Sequence, residues 1–157
     1  MSLRTQDRRS PAELRNELGV AQAASAELVS AALDLMAARC AMPNRADQAA
    51  RIRELIGAQA WTDAVLAIVD LDHSRAVRRL IHDDGEWSCR IGSRWAVPDW
   101  LDDSVEFSHP VLPLAVLGAL VDALRQAPAT IRSSTSVPQS HASPAGSIPA
   151  VSCENYL

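Results

Sequence analysis

Arg79-Leu-Ile-His-Asp-Asp-Gly-Glu-Trp-Ser-Cys-Arg-Ile91 is the stretch where the chain exchanges a helical pattern for a strand pattern. Asp84-Gly85 lies at its centre. A type I′ turn needs positive φ at both central residues, which Gly, Asn and Asp tolerate best. After the turn, Trp87, Cys89 and Ile91 alternate with Glu86, Ser88 and Arg90, the period-2 signature of a strand with one buried face. The stretch therefore predicts a β-hairpin, with strands near 75–82 and 87–92. A two-residue turn also sets the register, so His82 should face Trp87 and Leu80 should face Cys89. Trp87, Cys89 and Ile91 are expected toward the core, with Asp83, Asp84 and Glu86 in water.

Upstream the spacing is helical. Ser10 can cap a helix, Pro11 suits its first position, and Glu13 completes a capping box. Leu14, Leu18, Ala21, Ser25, Leu28, Ala32 and Leu35 then recur at intervals of three and four, predicting one long amphipathic helix that ends before Pro43. Gly19 is the point at which it would divide. Asn44 is expected to cap a second helix with Ile52, Leu55 and Ile56 on one face and Gly57 as its stop. A third should run from Gln59 to Leu71, its stripe being Trp61, Val65, Ile68 and Val69.

Downstream, Pro98-Asp99-Trp100-Leu101 reads as a helical turn or tight loop, and Ser104–Ser108 as a third short strand. Val111–Arg125 reads as a final helix, apolar nearly all round and hence central to the core. The predicted architecture is α+β: an N-terminal region of two to three helices, a small antiparallel hairpin or three-stranded sheet, and a buried C-terminal helix. Residues 1–9 are expected to be flexible, and 10–126 to form one domain (10–71 helical, 75–126 hairpin plus final helix). The Ser/Pro/Ala-rich stretch 127–157 has too little apolar surface to offset the entropy of ordering and is read as a disordered tail.

Composition excludes several functions. All fifteen basic residues are arginine, as a GC-rich bacterial genome would encode. With no lysine there is no Schiff-base lysine and no phosphate-binding P-loop lysine. No cofactor is expected. Residues 61–126 carry six arginines against eleven acids, a balance of −5. That is a poor surface for a phosphate backbone, so nucleic-acid binding is not expected. Three cysteines without a Cys-x-x-Cys pair fit a reducing cytoplasm better than a disulfide framework. Arg8-Arg9 is followed by Ser-Pro-Ala-Glu, not by the apolar core of a signal peptide. The longest apolar run, Val111–Leu124, is interrupted by Asp122 and falls short of the roughly 20 residues a bilayer span needs. No membrane association is expected. The only phenylalanine and all four tryptophans lie between Trp61 and Phe107, so the core is expected to centre there.

Four arrangements could carry function. His82, Cys89 and His109, with Asp84 and Glu86 nearby, are the residues a metal site would use. Their spacing requires none, and none is expected. Asp83, Asp84, Glu86, Asp99, Asp102, Asp103 and Glu106 could supply acid–base chemistry, but they fall at turns and strand edges, where solvation is the default. Trp95, Trp100, Arg90 and Arg94 form a candidate partner-binding set, since tryptophan and arginine dominate interface hot spots. The stripe of the first helix could mediate self-association, although packing on the next two helices explains it equally well. The reading that results is a small non-catalytic bacterial cytoplasmic protein acting through protein–protein contacts, either with another protein or as a homodimer. The alternatives are a small hydrolase or metal-dependent enzyme using the 82–109 region, and a small-ligand sensor with a pocket between the final helix and the sheet.

Overall fold

The structure is a computed structural model that describes residues 9–39, 45–95 and 103–126. Five helices and three strands follow in the order α1 (Pro11–Val20), α2 (Ala26–Arg39), α3 (Arg45–Gly57), α4 (Trp61–Asp70), β1 (Arg75–Asp83), β2 (Glu86–Ser93), β3 (Val105–His109) and α5 (Leu112–Gln126). The strands form one antiparallel sheet in the order β1-β2-β3. This is the expected α+β architecture. The Asn44 cap, the Pro98–Leu101 turn, most of the 1–9 terminus and the 127–157 tail lie outside the described residues.

The hairpin forms around Asp84 and Gly85, with φ of 48° and 84°, the positive values a type I′ turn requires. Its register pairs His82 with Trp87 and Leu80 with Cys89. β3 joins the other edge of β2, pairing Cys89 with Phe107 and Ile91 with Val105. Cys89 and Ile91 are fully buried, and Val105 and Phe107 nearly so. The sheet thus buries one face and leaves the other to solvent.

The buried face receives α5, whose residues Pro113 to Val121 are buried without interruption. Pro113 is harmless in the first turn because its missing N–H would have no intrahelical partner. Close approach of helix and sheet depends on Gly118, where an added Cβ would fall 2.2 Å from Cδ1 of Phe107. Arg15 lies over that ring, its guanidinium carbon 4.1 Å from the ring centre, and its Nε donates to Asp122 Oδ2 at 2.8 Å. Helix α1, strand β3 and helix α5 are tied together at this one place.

Two expectations need correction. The predicted long helix over residues 10–42 is two helices, making four before the sheet. The break falls at Ala21–Ser25 instead of Gly19. Ser25 caps α2 by accepting from the Leu28 N–H, and Ala21 ends α1 with extended backbone. At that break, Nε2 of His109 lies 3.0 Å from the Ala21 carbonyl. A serine at the i−3 position of a new helix competes with helix continuation by capping it. The core also differs in kind from the one expected. Phe107 is its only buried Phe, Tyr or Trp among the described residues, Trp61 and Trp87 pack at its margin, and the rest of its interior is Leu, Ile, Val, Met, Ala and Cys89. Leucine-rich helices with small alanines supply enough area, so Trp61 and Trp87 are left to the periphery.

Helix α3 ends in a Schellman arrangement: Ala60 N–H donates to the Leu55 carbonyl and Gln59 N–H to that of Ile56. The left-handed position is Gln59, at φ 57°, rather than Gly57. The last turn of α5 receives an Nη1 donor from Arg39 at the Leu124 carbonyl, satisfying an acceptor the helix leaves open.

The Gly118 contact makes a prediction whose sign is informative. In a free helix Gly→Ala stabilises by about 1 kcal/mol. Here Gly118→Ala must displace Phe107 and should destabilise by about 1–3 kcal/mol, as measured by urea unfolding.

Candidate functional site

The sequence-predicted residues divide between structural and exposed positions. Cys89 is fully buried between β1 and β3. Burial, reinforced by the negative charge of Glu106, pushes its thiol up to about 12. At neutral pH it is a small apolar core residue and no nucleophile. His109 is buried as well. Its Nδ1 accepts from the Val111 N–H at 2.9 Å, which fixes Nε2 as the protonated nitrogen facing the Ala21 carbonyl. Both nitrogens are therefore engaged in joining the α1–α2 break to the start of α5. His82 is exposed and packs its ring on Trp87, with centroids 4.7 Å apart. Among the described residues no three His, Cys, Asp or Glu side chains are grouped so as to hold a metal ion.

The acids are equally dispersed. Asp83, Asp84 and Glu86 are exposed at the hairpin tip, and Asp103 is exposed before β3; Asp99 and Asp102 lie outside the described residues. Glu106 is held by Ser88 Oγ at 2.5 Å and by Arg90 Nε at 3.4 Å. Ser108 and His109 fall on opposite faces of the sheet, Ser108 exposed and His109 buried, so they do not make a nucleophile–base pair. The space a ligand sensor would need between final helix and sheet is filled where Phe107 seats on Gly118. A groove of about 480 Å³ does run along β3 and the end of α5, lined by Ser104, Val105, Glu106, Asp122, Arg125 and Gln126. Its charges are internally matched, Asp122 by Arg15 and Arg125, and Glu106 by Arg90.

Of the partner-binding candidates, Arg90, Arg94 and Trp95 are described and all three are exposed. Arg94 staples the end of β2 to its surroundings. Its N–H donates to the Ser74 carbonyl at 2.7 Å, its Nε to the Arg75 carbonyl at 3.3 Å, and its Nη2 to Asp70 Oδ1 at 3.0 Å. This holds the backbone next to Trp95, whose side chain is 71% exposed, well above every other described aromatic. Trp100 lies outside the described residues. Arg90 stands on the open face of the sheet, because its neighbours Cys89 and Ile91 point into the core.

Two residues of this surface were not singled out from the sequence. Arg79 pairs directly with Arg90 across the hairpin, and a β-bulge lies between Val77 and Arg79. Uninterrupted, the register from the turn would set Arg78 opposite the buried Ile91. The bulge puts Val77 there instead and sends Arg78 to solvent. The stem of Arg78 then crosses Gly92, where a Cβ would come within 3.4 Å of its Cγ, and its Nη1 donates to the Ser93 carbonyl. The turn register could have located the Arg79–Arg90 pair; the buried neighbour of Arg78 was the signal for a bulge.

The Cys89 environment sets a pH dependence. The folded thiol ionises near 12 and an ordinary one near 9.0. Folding stability from this group is complete below pH 9 and is lost as pH rises toward 12, because the unfolded chain ionises first. Cys89→Ala should flatten that alkaline loss in denaturant titrations, while the wild-type thiol should resist iodoacetamide at neutral pH until the protein unfolds. No family model, curated protein or solved structure matches this chain.

Proposed function

We propose that this chain is a non-catalytic protein of the bacterial cytoplasm that works by binding another protein. The observation that carries this reading is Trp95. A tryptophan left 71% exposed on backbone stapled by three Arg94 hydrogen bonds is a large, rigid contact group with no role in its own core. Tryptophan loses little conformational entropy on binding for the area it buries, and it is among the residues most often found at the centre of interfaces. Arg94 precedes it directly and Arg90 lies upstream in β2, polar groups of the kind found at the rim of such a contact. The buried free thiol of Cys89 is compatible with a reducing compartment.

A photo-crosslinking residue placed at position 95 of the full chain, in its native cells, tests the reading. Discrete adducts are expected from Trp95 and none from a control at Glu27, which is exposed on α2. An adduct of twice the chain mass would identify the partner as a second copy. Equal labelling from both positions, or no adduct at position 95, would remove the basis for the proposal.

A further inference from the structure

On the open face of the sheet, Arg79 and Arg90 are directly opposed, and the bulge adds Arg78 beside them. Like charges placed opposite each other across two strands are unfavourable, and an antiparallel pair is normally free to set an acid or a hydroxyl there. Arg90 is matched by Glu106 on its other side. Among the described residues, Arg78 reaches only a backbone carbonyl. Arg79 has no ion pair or side-chain hydrogen bond among the described residues. Both carboxylate oxygens of Glu106 are already engaged, by Ser88 and by Arg90. Three guanidinium groups therefore share the end of the open face away from the turn with one acid beside them, Glu106, while Asp83 and Glu86 lie on the same face at the turn end. Nothing in the packing of the fold calls for this arrangement.

We propose that the open face around Arg78, Arg79 and Arg90 binds an extended acidic segment of the partner protein, whose carboxylates pair with these arginines while an apolar residue packs on Trp95. The inference rests on the protein-binding reading above and deepens it by naming the chemistry of the partner. Charge complementarity selects this occupant. Planar guanidinium groups accept carboxylates in bidentate fashion, and Ser88 and Ser108, on the same face by register, offer hydroxyl donors between them. Trp95 follows the strand end whose Ser93 carbonyl anchors Arg78, so charge and apolar contact are adjacent. A nucleic acid fits less well. A phosphate backbone needs a longer run of clustered cations than the three arginines at one end of this face present. A second copy would bring an equally basic face against this one.

The probes are a short synthetic peptide of glutamates flanking one phenylalanine, its glutamine counterpart, and inorganic phosphate. Each is titrated into the ¹⁵N-labelled full chain and followed by amide shifts. The glutamate peptide should give saturable shifts concentrated at Arg78, Arg79, Ser88, Arg90, Trp95 and Ser108, and the glutamine peptide should give none. Arg79→Glu should weaken binding by about tenfold or more and at the same time raise the thermal midpoint, because it sets a carboxylate opposite Arg90. Loss of binding with a gain in stability cannot come from a damaged fold. No saturable shift, shifts centred elsewhere, equal binding of the glutamine peptide, or phosphate reproducing the same pattern would each overturn the proposal. Crosslinks at position 95 combined with no peptide binding would overturn the acidic chemistry alone; the absence of those crosslinks would overturn the protein-binding reading beneath it.

Discussion

The seat of Phe107 on Gly118 is the contact on which the arrangement of the molecule depends. It brings the axis of α5 close enough to the sheet for Cys89, Ile91 and Val105 to be buried under it. Arg15 then covers the ring, and Asp122 on α5 holds Arg15 in place. One aromatic side chain thus sets the distance between helix and sheet and the position of α1. The other helices pack around the α5 that results, with Arg39 of α2 closing its last turn. In a core built from aliphatic side chains, which pack in many near-equivalent ways, a single shaped contact of this kind selects one arrangement.

That packing has a consequence on the opposite side of the sheet. Once α5 occupies one face, the other is free of any packing requirement, and its residues answer only to solvent and to each other. The bulge between Val77 and Arg79 serves both sides at once. It keeps a valine against Ile91 in the core and moves Arg78 outward, beside Arg79 and Arg90. A charged, bulged edge strand also resists unwanted strand pairing, which leaves the face rather than the edge as the surface on offer. Trp95 stands next to it because Arg94 fixes the end of β2 through Ser74, Arg75 and Asp70.

Much of this was legible in the residues. Asp84-Gly85 names its own turn type, and that turn dictates which residues face each other, so the hairpin register and the burial of Cys89 and Ile91 followed directly. The apolar run after Val111 identified the central helix for the same reason: no solvated helix carries such a composition. The break at Ala21–Ser25 was hidden because those residues continue the three–four spacing. What ends α1 is an acceptor at Ala21 met by His109, eighty-eight positions away, and a serine that caps more favourably than it propagates. Gly118 could be read only as a weak helix residue, since its value lies in what β3 sets against it. Gln59 in the left-handed position was masked by the nearer Gly57. The exposed arginines were legible singly, but their meeting required both the register and the bulge.

Native-state hydrogen exchange addresses the Phe107–Gly118 seat most directly. If it governs the fold, the amides of α5 from Leu114 to Val121 and those of Cys89 and Ile91 in β2 should exchange only through global unfolding, with one common opening free energy, and Gly118→Ala should lower all of them together. Protection of α2 and α3 that equals or exceeds that of α5, or a Gly118→Ala variant that changes exchange only near position 118, would contradict the account.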